Sequence, residues 1–196
     1  MSPELQTILE IQHPELYVQV HGEYGVECGD GWFVLLELLS DELAAHRDTT
    51  YAQIKEKFGI LTVYLNVPAK DTDDSDSHTY RTVYDIVGKY EALSMYVCEH
   101  CGLFSTADVT TSINGWRKTL CSSCHKNLSS AVGRLKNTEL SAHELLRQRQ
   151  ILSKVCSRLS HLYPPTLLDI QQAEKDVKEE RNGTSNTEGS VQVDVT

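Results

Sequence analysis

Four of the six cysteines fall into two close pairs, Cys98-Glu99-His100-Cys101 and Cys121-Ser122-Ser123-Cys124, with 19 residues between them. A two-residue gap lets both thiolates of a pair reach one ion, and two such pairs complete a tetrahedron. The pattern predicts one structural Zn²⁺ held by Cys98, Cys101, Cys121 and Cys124. Four thiolates leave no open position at which the metal could activate water, so a catalytic zinc is not expected. His100 and His125 sit beside ligands, but using either would displace a thiolate, and both are placed outside the coordination sphere.

The remaining reactive groups carry weaker signals. Cys28, flanked by Glu27 and Gly29, could act as a thiol nucleophile with one of the eight histidines as base, or it is a plain buried or free cysteine. Cys156 stands alone. The chain has no Gly-rich phosphate loop, no His-Glu-x-x-His and no Gly-x-Ser-x-Gly. A non-enzymatic protein is therefore expected, with a thiol enzyme centred on Cys28 as the remote alternative. Trp116, Arg117, Lys118 and Lys126, with Arg134 and Lys136 nearby, combine an aromatic with cations and could stack on bases and pair with phosphates. Against this, Trp116 could pack the finger and the cations could be solvated.

Charge separates the regions. The net charge is −10, with 17 acidic and 6 basic residues in 1–97 but 2 acidic and 5 basic in 98–136. That balance argues against a protein whose whole surface holds phosphates, and the finger is the only clearly basic segment. No apolar run reaches the length of a membrane helix, and the N-terminal segment lacks the basic start and apolar centre of a secretory signal; a cytoplasmic protein without membrane contact is expected.

The elements that must position these groups are legible in part. Trp32, Leu35, Leu36, Leu39 and Leu43 follow helical spacing from Trp32 to His46, with Asp30 or a neighbour as cap. Alternation from about Phe58 to Asn66 predicts a strand. The acidic run 70–78 reads as a solvated loop. Val83, Ile86, Val87, Tyr90 and Leu93 predict a helix from Tyr80 to about Met95, leading into the first cysteine pair. Between the pairs, Asn114-Gly115 is a favoured hairpin turn, and 125–136 could form a helix, leaving treble clef and zinc ribbon both open. Ser141 and Glu144 form a capping box, with Leu140 and Leu145 as its hydrophobic staple. In the helix that follows, Leu145, Leu152 and Leu159 with Gln148, Val155 and Leu162 make a heptad seam with one polar member. That seam either dimerises through 141–163 or packs on its own chain. Pro164-Pro165 ends the helix, and Thr166 with Asp169 starts another to about Arg181.

The division expected is an acidic α+β region (1–97), a Cys₄ zinc finger (98–136), a helical hairpin (137–181) and a disordered tail (182–196). The fold class is α+β, a small zinc-stabilised protein.

Gly29-Asp30-Gly31-Trp32, then Ile54-Lys55-Glu56-Lys57-Phe58-Gly59 with Leu61 and Tyr64, then Cys98-Glu99-x-Cys101-Gly102, then Gly115-Trp116-x-x-Thr119-Leu120-Cys121-x-x-Cys124, resemble a family of small, largely uncharacterised phage and prophage proteins. The resemblance covers about residues 29–125 and implies a phage setting in a bacterial host cell, with no catalytic activity attached. The finger alone is similar to those of TraR/DksA-type transcription factors, although a predicted strand and acidic loop stand here where those proteins have a long helical hairpin. The function expected is a phage-related interaction or regulatory factor that contacts a host or phage protein. The alternative is a nucleic-acid-binding zinc-finger regulator.

Overall fold

The computed structural model describes residues 1–20, 25–46, 48–67, 75–111, 117–130 and 140–185; for 75–80, 128–130 and 183–185 it describes the backbone alone. The fold is mixed α+β, with a three-stranded sheet, a two-stranded sheet and six α-helices among the described residues.

The larger sheet is built from β1 (Val26–Glu27), β2 (Thr50–Lys57) and β3 (Ile60–Asn66), in that order, with β1 parallel to β2 and β2 antiparallel to β3. Phe58 and Gly59 form the tight turn of the β2–β3 hairpin, both with positive φ (55° and 82°). Positive φ at both central residues is the backbone that lets a two-residue turn follow the strand twist. The expected strand beginning at Phe58 is therefore the second arm of a hairpin. The first arm escapes a period-two reading because its register slips between Tyr51 and Gln53, leaving Tyr51 and Ile54 as its buried residues.

Helix α1 (Pro3–Gln12) seats Leu9 in the core. Helix α2 (Phe33–Leu43) lies at the centre and buries Phe33, Val34, Leu35, Leu36, Leu38, Leu39 and Leu43, which spread over most of its circumference. Its one buried polar side chain is satisfied: Ser40 Oγ donates to Leu36 O (2.7 Å) and meets the Tyr51 hydroxyl at 2.9 Å. Asp30 does not cap α2. A 3₁₀ turn, Asp30–Trp32, precedes the helix, and Asp30 Oδ1 instead accepts the Ser2 amide at 2.6 Å.

Helix α3 (Ser75–Ser94) presents Val83, Ile86, Val87, Tyr90 and Leu93 to β3 and α2. Of the acidic run, 70–74 lie outside the described residues, and 75–78 are the first helical turn. Lys89 on α3 is fully buried and ionically paired to Glu42 (Nζ to Oε2, 2.7 Å), which also accepts the Tyr90 hydroxyl at 2.7 Å.

Helix α5 (Ala142–Arg158) begins as expected, Ser141 Oγ accepting the Glu144 amide at 3.2 Å. Helix α6 (Leu167–Ser185) begins with reciprocal bonds between Thr166 and Asp169, and runs further than Arg181. Ion pairs of Lys154 with Glu180 and of Arg158 with Asp176 show the two helices running back along each other. Residues 186–196, most of the expected tail, lie outside the described residues. Leu152, Val155 and Leu159 are buried in the same core as α2, so the seam is covered within the chain.

Candidate metal centre

Two short strands, β4 (Val109–Thr111) and β5 (Thr119–Cys121), pair antiparallel, and α4 (Ser122–Ser130) follows β5 without a break. The turn Asn114-Gly115 and Trp116 lie outside the described residues. Cys98 and Cys101 come from the segment after α3. There Gly102, at φ 73°, donates its amide to Cys98 O (2.8 Å), while Cys98 N donates to Leu103 O (2.9 Å). Cys121 ends β5 and Cys124 sits in the first turn of α4, where the helix N-terminus favours negative charge.

These segments bring the four sulfurs within 4.8 Å of one another, with Cys98, Cys121 and Cys124 buried and Cys101 half-buried. The Cys101 and Cys121 sulfurs are 3.8 Å apart, far beyond a disulfide. Thiolates about 2.3 Å from a central Zn²⁺ stand about 3.8 Å from each other in a tetrahedron. The donor set is all sulfur, the size is right, and the site is closed by a small apolar cluster containing Val109 and Leu120. The residues fit one zinc ion, whose chemistry there would be cross-linking.

Without metal the thiols of Cys98, Cys101 and Cys124 are shifted in opposite directions. The Cys98 thiol is drawn down to about 5, chiefly by a hydrogen bond from the Cys101 thiol against the opposing effect of burial, with help from the amides of Cys101, Cys121 and His100. Cys101 is pushed up by donating that bond and by burial, and burial pushes Cys124 up to about 12. Loading the site therefore releases protons.

The first cysteine pair is gripped from three sides. Gly31 N donates to Glu99 O at 2.8 Å, and a Cβ on Gly31 would fall 2.2 Å from Cys98 O. On Gly29 it would fall 2.3 Å from Glu99 O, so the two glycines of the Gly-Asp-Gly-Trp motif permit backbone to lie directly on backbone. Trp32, wholly buried, donates its indole N–H to Val97 O at 2.8 Å. The second grip is Glu99. Its Oε1 accepts Gly29 N (3.1 Å) and Lys118 Nζ (2.8 Å), and Lys118 also reaches Glu56 at 3.0 Å. Burial raises the Glu99 pKa while Lys118 opposes it. Third, the C-terminal helices reach across: Gln148 Nε2 donates to Cys101 O (2.8 Å), and Glu174 Oε2 accepts Thr106 N (3.0 Å). Thr119 Oγ1 donates to Gly59 O, joining β5 to the hairpin turn.

Glu99 and Glu174 had no assigned role in the sequence. Gln148 was visible as the one polar member of an apolar seam; its partner was not. Among the other candidates, Lys118 is engaged by two carboxylates, Arg117 is exposed with its guanidinium 5.9 Å from the Phe58 ring centre, and Lys126 is exposed on α4. His125 Nε2 faces Thr110 O at 3.4 Å, and His100 lines a shallow depression with Cys28 and Asp30. Neither histidine is among the clustered ligands. Cys28 is buried, which pushes its thiol up to about 12, opposite to the shift that activates a cysteine nucleophile. Burial likewise raises Cys156, to about 11.

No helix among the described residues is long and apolar enough to cross a membrane. Comparison of the chain with protein-family models, with curated proteins and with solved structures finds no match in any of the three.

Proposed function

We propose that the protein is a non-enzymatic, phage-related interaction factor whose zinc is a structural staple in a finger of treble-clef type. The observation that carries this reading is the set of four sulfurs, all within 4.8 Å of one another and tied into the body through Glu99, Gln148 and Thr106. The helix directly after Cys121, holding Cys124 in its first turn, supports the treble clef over an all-β ribbon. Contact with a host protein falls to the acidic N-terminal part, where Ile8, Ile11 and Val18 are exposed near Glu4 and Glu15. Exposed apolar side chains rimmed by charge are what a protein partner covers. The protein would work in the cytoplasm of the bacterial host.

The test is elemental zinc per chain together with affinity capture from the bacterial host, for wild type, Cys121→Ser and Ile11→Asp. One zinc in wild type and Ile11→Asp, with a protein captured by wild type and lost in Ile11→Asp, is the expected result. Absence of zinc in wild type would sink the staple. Loss of biological effect in Cys28→Ser, with zinc and fold retained, would replace the reading with a thiol enzyme.

A further inference from the structure

The outer face of the larger sheet takes no part in the core. The register sets Gln53 opposite Tyr64, Lys55 opposite Thr62 and Lys57 opposite Ile60, so these side chains share one face, while Ile54, Leu61 and Val63 turn inward. On the outer face Tyr64 is 41% exposed, and at the hairpin tip Phe58 is 64% exposed. Phe58 also sits at φ 55°, a conformation that a bulky side chain seldom adopts and for which it gains no burial.

Each ring has cations beside it. Lys55 Nζ lies 5.2 Å from the Tyr64 ring centre; Lys57 Nζ and the Arg117 guanidinium lie 5.8 and 5.9 Å from that of Phe58. Of the two carboxylates nearest along the strands, Glu56 is engaged by Gly59 N and Lys118, whereas Glu27, opposite Lys55 in the register, shares the outer face and accepts from Gln53 Nε2, whose Oε1 in turn accepts from Lys55. Among the described residues the face carries three cations, Lys55, Lys57 and Arg117, against the one carboxylate of Glu27, a local reversal of sign beside exposed aromatics in a chain of net charge −10.

We propose that this face binds single-stranded nucleic acid, with Tyr64 and Phe58 stacking on bases and Lys55, Lys57 and Arg117 meeting phosphates. A ring offers every base a surface, and a cation one side chain away meets the charge that follows each base along the strand. A duplex keeps its base faces covered, and an acidic polypeptide gives the rings nothing to stack on. The residues differ from the Ile8, Ile11 and Val18 assigned above to a protein partner, so Tyr64→Ala and Ile11→Asp test the two assignments apart.

The experiment is fluorescence anisotropy of the zinc-loaded full chain with labelled oligothymidine and oligouridine of about 15 nucleotides, inside the range of single-strand sites. Binding should weaken with salt at a log–log slope of about −2, from three phosphate contacts at about 0.7 each. Tyr64→Ala, and Phe58→Asn, which suits the positive φ, should each weaken binding about ten-fold. Lys57→Ala should reduce the slope by about 0.7. Zinc content and unfolding midpoint are measured for each variant, so that only loss with an intact fold counts. No binding at low salt, equal affinity for duplex, equal competition by oligoglutamate, or unchanged affinity in both aromatic variants would each overturn the proposal.

Discussion

The two sheets are held by different physics. The three-stranded sheet lies on a core that includes Trp32, Tyr17, Tyr51, Leu35, Leu39 and Tyr90, all almost fully buried, and its stability comes from removing apolar surface from water. Among the described residues around β4 and β5 the buried cluster consists of Val109, Leu120 and cysteines. That described cluster is small, and four thiols that could hold one metal ion stand within it. The contrast teaches that a region whose described apolar cluster is small can still be specified by cysteines able to hold a metal and by a larger neighbour to lean on.

The largest effect expected is from Cys121→Ser. Structural zinc sites carry about 10–16 kcal/mol of apparent binding free energy in finger peptides, far more than an isolated finger's packing supplies. Zinc should be lost, and hydrogen exchange should show 98–126 open while the amides of α2 and β3 stay protected. Simultaneous loss of protection in α2 would break the distinction between the regions. Trp32→Ala is the reciprocal cut. Truncating so large a buried side chain costs about 3–5 kcal/mol, with the Val97 carbonyl left unpaired, and urea unfolding should show the body destabilised.

Smaller effects sharpen the boundary between the two. Gly102→Ala forces a side chain into φ 73° and places its Cβ 2.3 Å from Gln148 Oε1. A loss of about 2 kcal/mol is expected from the left-handed backbone and the displaced contact, read as a lowered thermal midpoint at constant zinc. Two pH effects follow. Zinc affinity should fall as pH falls, because the metal takes its ligands as thiolates, and a competition titration with a chelator measures it. Glu174 is subtler: burial opposes its ionisation, but Lys178 and Thr106 hold the carboxyl below its ordinary 4.5. A depressed value means stability that is present above 4.5 and lost as pH drops through the folded value; Glu174→Gln should flatten unfolding free energy against pH in that acidic window.

The clustering of the four cysteines was readable because coordination chemistry fixes both residue type and spacing, and a two-residue gap has few other uses in a chain of this composition. Helix α5 was readable for a similar reason, since its capping box is local chemistry. The first arm of the hairpin was not, because β2 is irregular in register and mostly polar, with only Tyr51 and Ile54 turned to the core. Glu99 and Glu174 were hidden because their meaning lies in partners 70 and 68 residues away. Lys118 shows the opposite error: it reads as a free cation in sequence and is a bound one in three dimensions.

The first cysteine pair is also a statement about the order of assembly. Its contacts reach back to Gly29 and Gly31 and forward to Gln148, 47 residues beyond Cys101, so it closes loops in both directions along the chain. Long loops are costly to close before their contacts form, which makes such a junction a late event in folding. As the chain emerges from a ribosome, the glycine shelf exists before the cysteines that rest on it, and the glutamine that clasps them arrives last. A metal held by the four cysteines would keep the place in the interval, joining one end of the finger to the other until the C-terminal helices come down.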